Sequence, residues 1–86
     1  MEEFCIASFR SRTYVLRFEA ILQQAGIACR VISTPRQVAL GCGLSVSFAP
    51  SALSAVKTLS VQLPTASLLG FYLVRRQQGR LQVHPI

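Results

Sequence analysis

Two runs of this sequence, Phe4 to Phe9 and Leu69 to Arg76, are apolar on both parities, the second through Phe71 and Leu73 on one side and Tyr72 and Val74 on the other. A strand with one wet face alternates apolar and polar residues, whereas a run apolar at odd and even positions needs cover on both sides and belongs inside a sheet. Two such strands, one near each end of an 86-residue chain, require the chain to return on itself so that both become central. A chain this short is one domain, residues 1–86, and buries only about 60–65% of its unfolded surface.

The intervening sequence supplies the remaining elements. Ser11 is placed to cap a helix running to about Ala25, with Tyr14, Val15, Phe18, Ile21, Leu22 and Ala25 as one stripe at helical spacing and Arg17, Gln23 and Gln24 facing out. Gly26 is suited to end it. Ile27 to Ser33 reads as a second strand, broken by Thr34-Pro35 because proline has no donor for a ladder. Arg36 to Gly43 reads as a loop or a single helical turn. Leu44-Ser45-Val46-Ser47-Phe48 alternates, as a strand with one covered face does. Pro50 suits the first turn of a second helix, which turns Leu53, Val56, Leu59 and Leu63 inward and stops before Pro64. Gln77-Gln78-Gly79 is a turn signal, after which Arg80 to Ile86 is read as a short hairpin strand.

The predicted order is strand, helix, strand, strand, helix, strand. It implies an α+β ferredoxin-like βαββαβ sandwich, an antiparallel sheet with both helices on one face and a possible extra C-terminal strand. Right-handed crossovers set the first strand beside the third and fourth and leave the second on the edge. The sheet face away from the helices then needs a lid, expected to be a second copy of the chain or the Arg80–Ile86 tail. The composition agrees with this need, since 51% of residues are hydrophobic and only 14% charged, and so apolar a surface is expected to be shared with a partner or a homo-oligomer.

Nine Lys and Arg against three Asp and Glu give a net charge of +6. Scattered along the chain, these cations serve solubility first; a sharper use is attraction of an anion such as phosphate or a sulfide or selenide species, an acidic partner, or RNA. The acidic N-terminus does not have the pattern of a signal peptide. The uncharged stretch Gln37 to Val56 is long enough to span a bilayer, but Gly41, Gly43, Pro50 and its serines interrupt it, and it alternates like a strand, so no membrane role is expected. Three cysteines, Cys5, Cys29 and Cys42, with no Cys-x-x-Cys spacing, fit a reducing cytoplasm and argue against a disulfide framework or a metal site.

The candidate chemistry rests on these thiols. Cys5 and Cys29 lie within apolar strands, where a free cysteine acts as a small hydrophobe. Cys42 lies in a loop between Gly41 and Gly43, which leave its sulfur and the adjacent amides open to a ligand. Arg36 is near in sequence, and a neighbouring cation favours thiolate. A glycine-rich turn with an incidental cysteine accounts for the same pattern equally well. His84 has no acid or nucleophile nearby in sequence and reads as a solvated residue. Glu19, at the edge of the helical stripe, reads as a structural ion-pair partner. The chain has no Ser-His-Asp set, carboxylate pair or phosphate-binding glycine motif, and no cofactor is expected. Phe71 and Tyr72 could suggest an RNA-recognition sheet, but that motif needs aromatics on the first and third strands with Lys/Arg-Gly patterning, which Leu44 to Phe48 lacks.

Several segments resemble a known family, the selenium/sulfur carrier protein-like domain of unknown function. The helix carries Ser11, Val15, Glu19, Leu22 and Ala25-Gly26-Ile27; the turn reads Ile32-Ser33-Thr34-Pro35-Arg36; and Cys42-Gly43 leads into the alternating strand Leu44 to Phe48. Ser33 stands where the family has a first proline, Ala39-Leu40-Gly41 replaces a more polar stretch, and Gln77 to Ile86 lies outside the pattern. The resemblance implies a carrier holding sulfur or selenium as a persulfide or selenopersulfide on Cys42, with Arg36, Gly41 and Gly43 around the anionic sulfur. Its partners would be sulfur- or selenium-transfer proteins, such as a desulfurase donor. It would be a protein co-substrate rather than a free-standing enzyme. The rival reading is a non-catalytic ferredoxin-like module binding a small anion or a protein partner, and RNA binding ranks below both.

Overall fold

The computed structural model describes residues 2–38 and 41–86. In chain order the main elements are β1 (Glu2–Phe9), α1 (Arg12–Gln24), β2 (Cys29–Ser33), β3 (Leu44–Phe48), α2 (Leu53–Leu59), β4 (Leu68–Gln77) and β5 (Arg80–Pro85). Short 3-10 turns at Pro50–Ala52 and Ser60–Gln62 extend α2 at both ends, and a third at Thr65–Ser67 leads into β4. The protein is α+β, with one five-stranded antiparallel sheet in the order β2-β3-β1-β4-β5. As expected, β1 lies between β3 and β4, and β2 is an edge strand.

Both helices cover the same side of the sheet. Val15, Phe18 and Leu22 of α1 and Val56 of α2 close on Cys5, Ala7 and Phe9 of β1, Val46 and Phe48 of β3, and Phe71 of β4. Each fully buried aliphatic or aromatic side chain contributes roughly 1.5–3 kcal/mol. The Phe9 and Phe18 rings also meet at 5.2 Å with a 57° tilt, a geometry that aromatic quadrupoles favour.

Local chemistry accounts for the helix boundaries. Ser11 occupies the N-cap position, but its hydroxyl makes no capping bond. At the other end, the Gly26 N–H donates to Gln23 O and the Ile27 N–H to Leu22 O, with Gly26 at φ 77°. This paired closure with a left-handed glycine is the Schellman motif. It takes up the Ile27 amide, so β2 begins at Cys29, two residues later than the hydrophobic run suggests. The residues read as inward on the second helix, Leu53, Val56, Leu59 and Leu63, all pack into the helix-side core, Leu63 just past the 3-10 turn Ser60–Gln62.

The far side of the sheet departs most from expectation. Ile6 and Val74 are fully buried there, packed with Val38 from the β2–β3 loop and flanked by Phe4, Ile32, Tyr72, Leu81 and Val83. Cover over Ile6 and Val74 comes from within the chain: Val38 of the loop lies there, and the tail, which extends the sheet as β5, adds Leu81 and Val83 at its side. Thus Ser45, expected on an open face, has no solvent exposure. No helix is long and apolar enough to cross a membrane among the described residues.

Candidate functional site

The loop that covers the sheet is also the loop that carries Cys42. Its base is closed by the Thr34 N–H donating to Gly43 O at 2.8 Å, and a turn follows, with the Val38 N–H donating to Pro35 O at 2.9 Å. On the return limb the Cys42 N–H donates to Phe9 O at 3.3 Å, pinning the loop to the last residue of β1. Residues Ala39 and Leu40 lie outside the described residues.

The two glycines around Cys42 are conformational requirements. Gly41 has φ 100° and Gly43 φ 85°, both in the left-handed region that side chains disfavour. They differ in surroundings. A Cβ on Gly41 would lie 2.6 Å from Phe9 O and 2.9 Å from Leu69 Cδ1, whereas one on Gly43 would meet nothing within 4 Å. Gly41 therefore lets the chain press against the end of β1, and Gly43 reverses it into β3. Between them Cys42 is exposed, its thiol directed to Leu44 O at 3.7 Å.

The other thiols are set apart by burial. Cys5 is 1% exposed, and burial, with the Glu3 charge adding to it, pushes its pKa up against a smaller opposing effect of Lys57. Cys29 is half-buried, and burial followed by the Glu19 carboxylate pushes its thiol up as well. Both residues oppose Phe48 in register, from strands on either side of β3. Two strand spacings, about 9–10 Å, separate them, beyond disulfide reach. All three cysteines are free.

Arg36 is exposed, and it makes no hydrogen bond to Cys42 among the described contacts. The cation drawn close to this end of the sheet is Arg10. Its Nε donates to Ala66 O at 2.6 Å and its backbone N–H to Ser67 O at 2.9 Å, which ties the β1–α1 junction to the approach of β4. Glu19 forms no ion pair among the described residues; the recorded pairs are Glu3 with Arg75 and Glu2 with Arg76. His84 is exposed on β5, opposite Leu73.

Sequence reasoning missed a row of hydroxyls beneath the loop. Ser8 and Ser45 are register partners on β1 and β3, both fully buried, and the Ser45 and Thr34 hydroxyls are hydrogen-bonded at 2.7 Å. Ser8 Oγ has no partner among the described residues and lies 3.3 Å from the position of a Gly41 Cβ. The only signal in the sequence was a serine in each strand at a parity that the loop happens to cover. No cluster of three or more metal-ligating side chains occurs among the described residues.

No curated protein and no solved structure matches this chain. Residues 4–63, which include both limbs of the loop and most of the sandwich, match the family described as "Putative Se/S carrier protein-like". On that match, which spans well over half of its length, the chain belongs to the Se/S carrier protein-like family.

Proposed function

We propose that this protein carries sulfur or selenium as a persulfide or selenopersulfide on Cys42. The observation that carries the reading is the contrast among the thiols. Cys42 is exposed on a loop tied down at both ends, while Cys5 is buried and Cys29 is half-buried, with burial pushing both of their thiol pKa values up. Membership of the family supports the same chemistry.

In the proposed transfer, the Cys42 thiolate attacks the terminal sulfur of a donor's cysteine persulfide. A new S–S bond forms on Cys42, the donor's S–S bond breaks, and the donor cysteine leaves as thiolate with the electron pair. The sulfane sulfur moves without net oxidation, and selenium would move by the same exchange. Delivery reverses the roles, with an acceptor nucleophile taking the terminal atom and Cys42 leaving as thiolate. Arg36 and the backbone at Gly41 and Gly43 are the groups we assign to the anionic cargo, the Cys42 N–H itself being engaged by Phe9 O. A desulfurase-type protein is the donor this chemistry calls for, and a reducing cytoplasm suits three unpaired thiols. We also read the scaffold as ferredoxin-like, with β5 added beyond a βαββαβ core. The strand order and the placement of both helices over one face support this.

The test is intact-mass analysis after incubation with a cysteine desulfurase and cysteine. Wild type should gain one sulfur atom, lost on reduction. Cys42→Ala should gain none, while Cys5→Ala and Cys29→Ala should load normally. If native Cys42 stays unloaded, or if brief iodoacetamide treatment labels Cys5 or Cys29 faster, the reading fails and a non-catalytic binding module takes its place.

A further inference from the structure

At the end of the sheet away from Cys42, two adjoining depressions share Phe4, Arg30 and Ser47. The larger, about 330 Å³, opens on the face away from the helices and is also lined by Glu2, Ile32 and Arg76. It reaches Ser33 at the base of the β2–β3 loop, while Glu2, Phe4 and Arg76 lie toward the opposite end of the sheet. Phe4 is five residues before Phe9, where Cys42 is pinned, so roughly 17 Å of strand separates the groove from the thiol.

The groove brings a half-buried aromatic ring together with two exposed guanidinium groups. Phe4 is only half-buried, with part of its ring side against the Ile6–Val38–Val74 cluster. Arg30 is exposed and has no carboxylate partner among the described residues. Arg76 meets Glu2 at 3.6 Å, with both side chains more than half exposed. Such a pair is worth little and is readily exchanged for a better anion. The chain has only three acidic side chains against nine cations, which leaves Arg30 open to an external anion.

We infer that this face binds single-stranded nucleic acid, with a base stacked on Phe4 and neighbouring phosphates held by Arg30 and Arg76. An acidic peptide would satisfy the guanidinium groups and leave the aromatic ring unmatched. A nucleic-acid strand supplies a flat π face and regularly spaced anions together, and stacking on an aromatic platform between cations is how sheets hold single strands without reading sequence. Register agrees with a shared path. Arg30 is level with Ser47 and Ile6, Phe4 lies two residues along β1, and Arg76 lies opposite Glu2. The two arginines thus stand on either side of Phe4 along a diagonal across four strands. Tyr72 does not extend the platform, because its ring lies over Gly70. The sequence argued against RNA because Leu44 to Phe48 lacks the aromatic and Lys/Arg-Gly patterning of an RNA-recognition sheet. The platform here is the single Phe4 of β1, and β3 contributes the small Ser47 that leaves the groove open.

The experiment is fluorescence anisotropy with a labelled oligouridine across a salt series, independent of any loading of Cys42. Binding should weaken linearly in log salt, and Arg30→Gln and Arg76→Gln should each lower the slope by about 0.7. Phe4→Leu should weaken binding at least about fivefold, while Glu2→Gln should tighten it. Phe4→Trp installs the chain's only tryptophan, whose emission should be quenched by the stacked base even if Phe4→Leu folds poorly. Cys42→Ser should bind like wild type. The inference is overturned if no salt-dependent binding occurs, if the Arg30→Gln, Arg76→Gln double variant binds like wild type, or if the tryptophan is unquenched. It is also overturned if polyglutamate displaces the RNA as well as unlabelled oligouridine does, which would assign the face to acidic protein partners.

Discussion

Replacing Gly41 by alanine separates two demands that the loop makes on its glycines, and Gly43→Ala is the internal control. Both positions sit at positive φ, 100° and 85°, so an alanine at either costs about 1–2 kcal/mol in backbone strain. Both gain back about 0.4–1 kcal/mol because alanine restricts the unfolded chain. The difference is steric. The alanine Cβ at position 41 would sit 2.6 Å from Phe9 O and 2.9 Å from Leu69 Cδ1, while at 43 it meets nothing within 4 Å. Ordinary contact begins near 3.5 Å, so either the loop or the end of β1 must retreat by most of an ångström. Phe9 is fully buried against Phe18 and cannot follow freely. Overpacking of this kind costs about 1–3 kcal/mol, and lifting the loop also lengthens the Cys42 N–H to Phe9 O bond, worth about 1 kcal/mol. Gly43→Ala should therefore destabilise by about 1 kcal/mol, and Gly41→Ala by about 2–4 kcal/mol. The assay is urea unfolding followed by circular dichroism, where m near 1 kcal/mol/M for so small a domain turns the difference into a midpoint gap of at least about 1 M. Cys42 should also alkylate at a changed rate in Gly41→Ala. Midpoints within about 0.5 M of each other would show that the loop does not press on β1 as described.

Three further outcomes follow from the same geometry. Burial raises the thiol pKa of Cys5 and Cys29, so the folded state holds those protons more tightly than the unfolded chain. Their contribution to stability is complete below the unfolded thiol pKa and falls as pH rises through the alkaline range above about 8.5; thermal melts from pH 7 to 10 should show this decline, and Cys5→Ala, Cys29→Ala together should flatten it. Val38 is the loop's plug over Ile6 and Val74, so Val38→Ala should cost about 1–2 kcal/mol and raise binding of an apolar dye. Gln78 is the one non-glycine residue at positive φ among those described, at 53° in the β4–β5 turn beside Gly79; a two-residue hairpin turn of this kind favours Asn or Gly there, and Gln78→Gly should stabilise by about 0.5–1 kcal/mol, read as a higher melting temperature.

Local chemistry alone determined the helices and strands of this chain. The stripe from Tyr14 to Ala25 ends where Gly26 can turn left-handed, and the double-parity runs of β1 and β4 demanded central positions with cover on both faces. Those features depend on residues within a few positions of one another, so periodicity reports them directly. Even the Gly-Cys-Gly triplet was visible, because two glycines beside a thiol are unusual whatever the fold. What covers the second sheet face was a matter for the tertiary structure. Val38 is one valine in a loop with no periodicity, and its contacts with Ile6 and Val74 span more than thirty positions of sequence in each direction. Once the loop lies there, Ser45 and Ser8 become buried although their strands say nothing of it, and Gly41 is forced against Phe9. The groove at Phe4 has the same origin. Arg30, Ser47, Phe4 and Arg76 come from four strands, and only the order β2-β3-β1-β4 brings an aromatic ring and two cations from distant sequence to one end of one face.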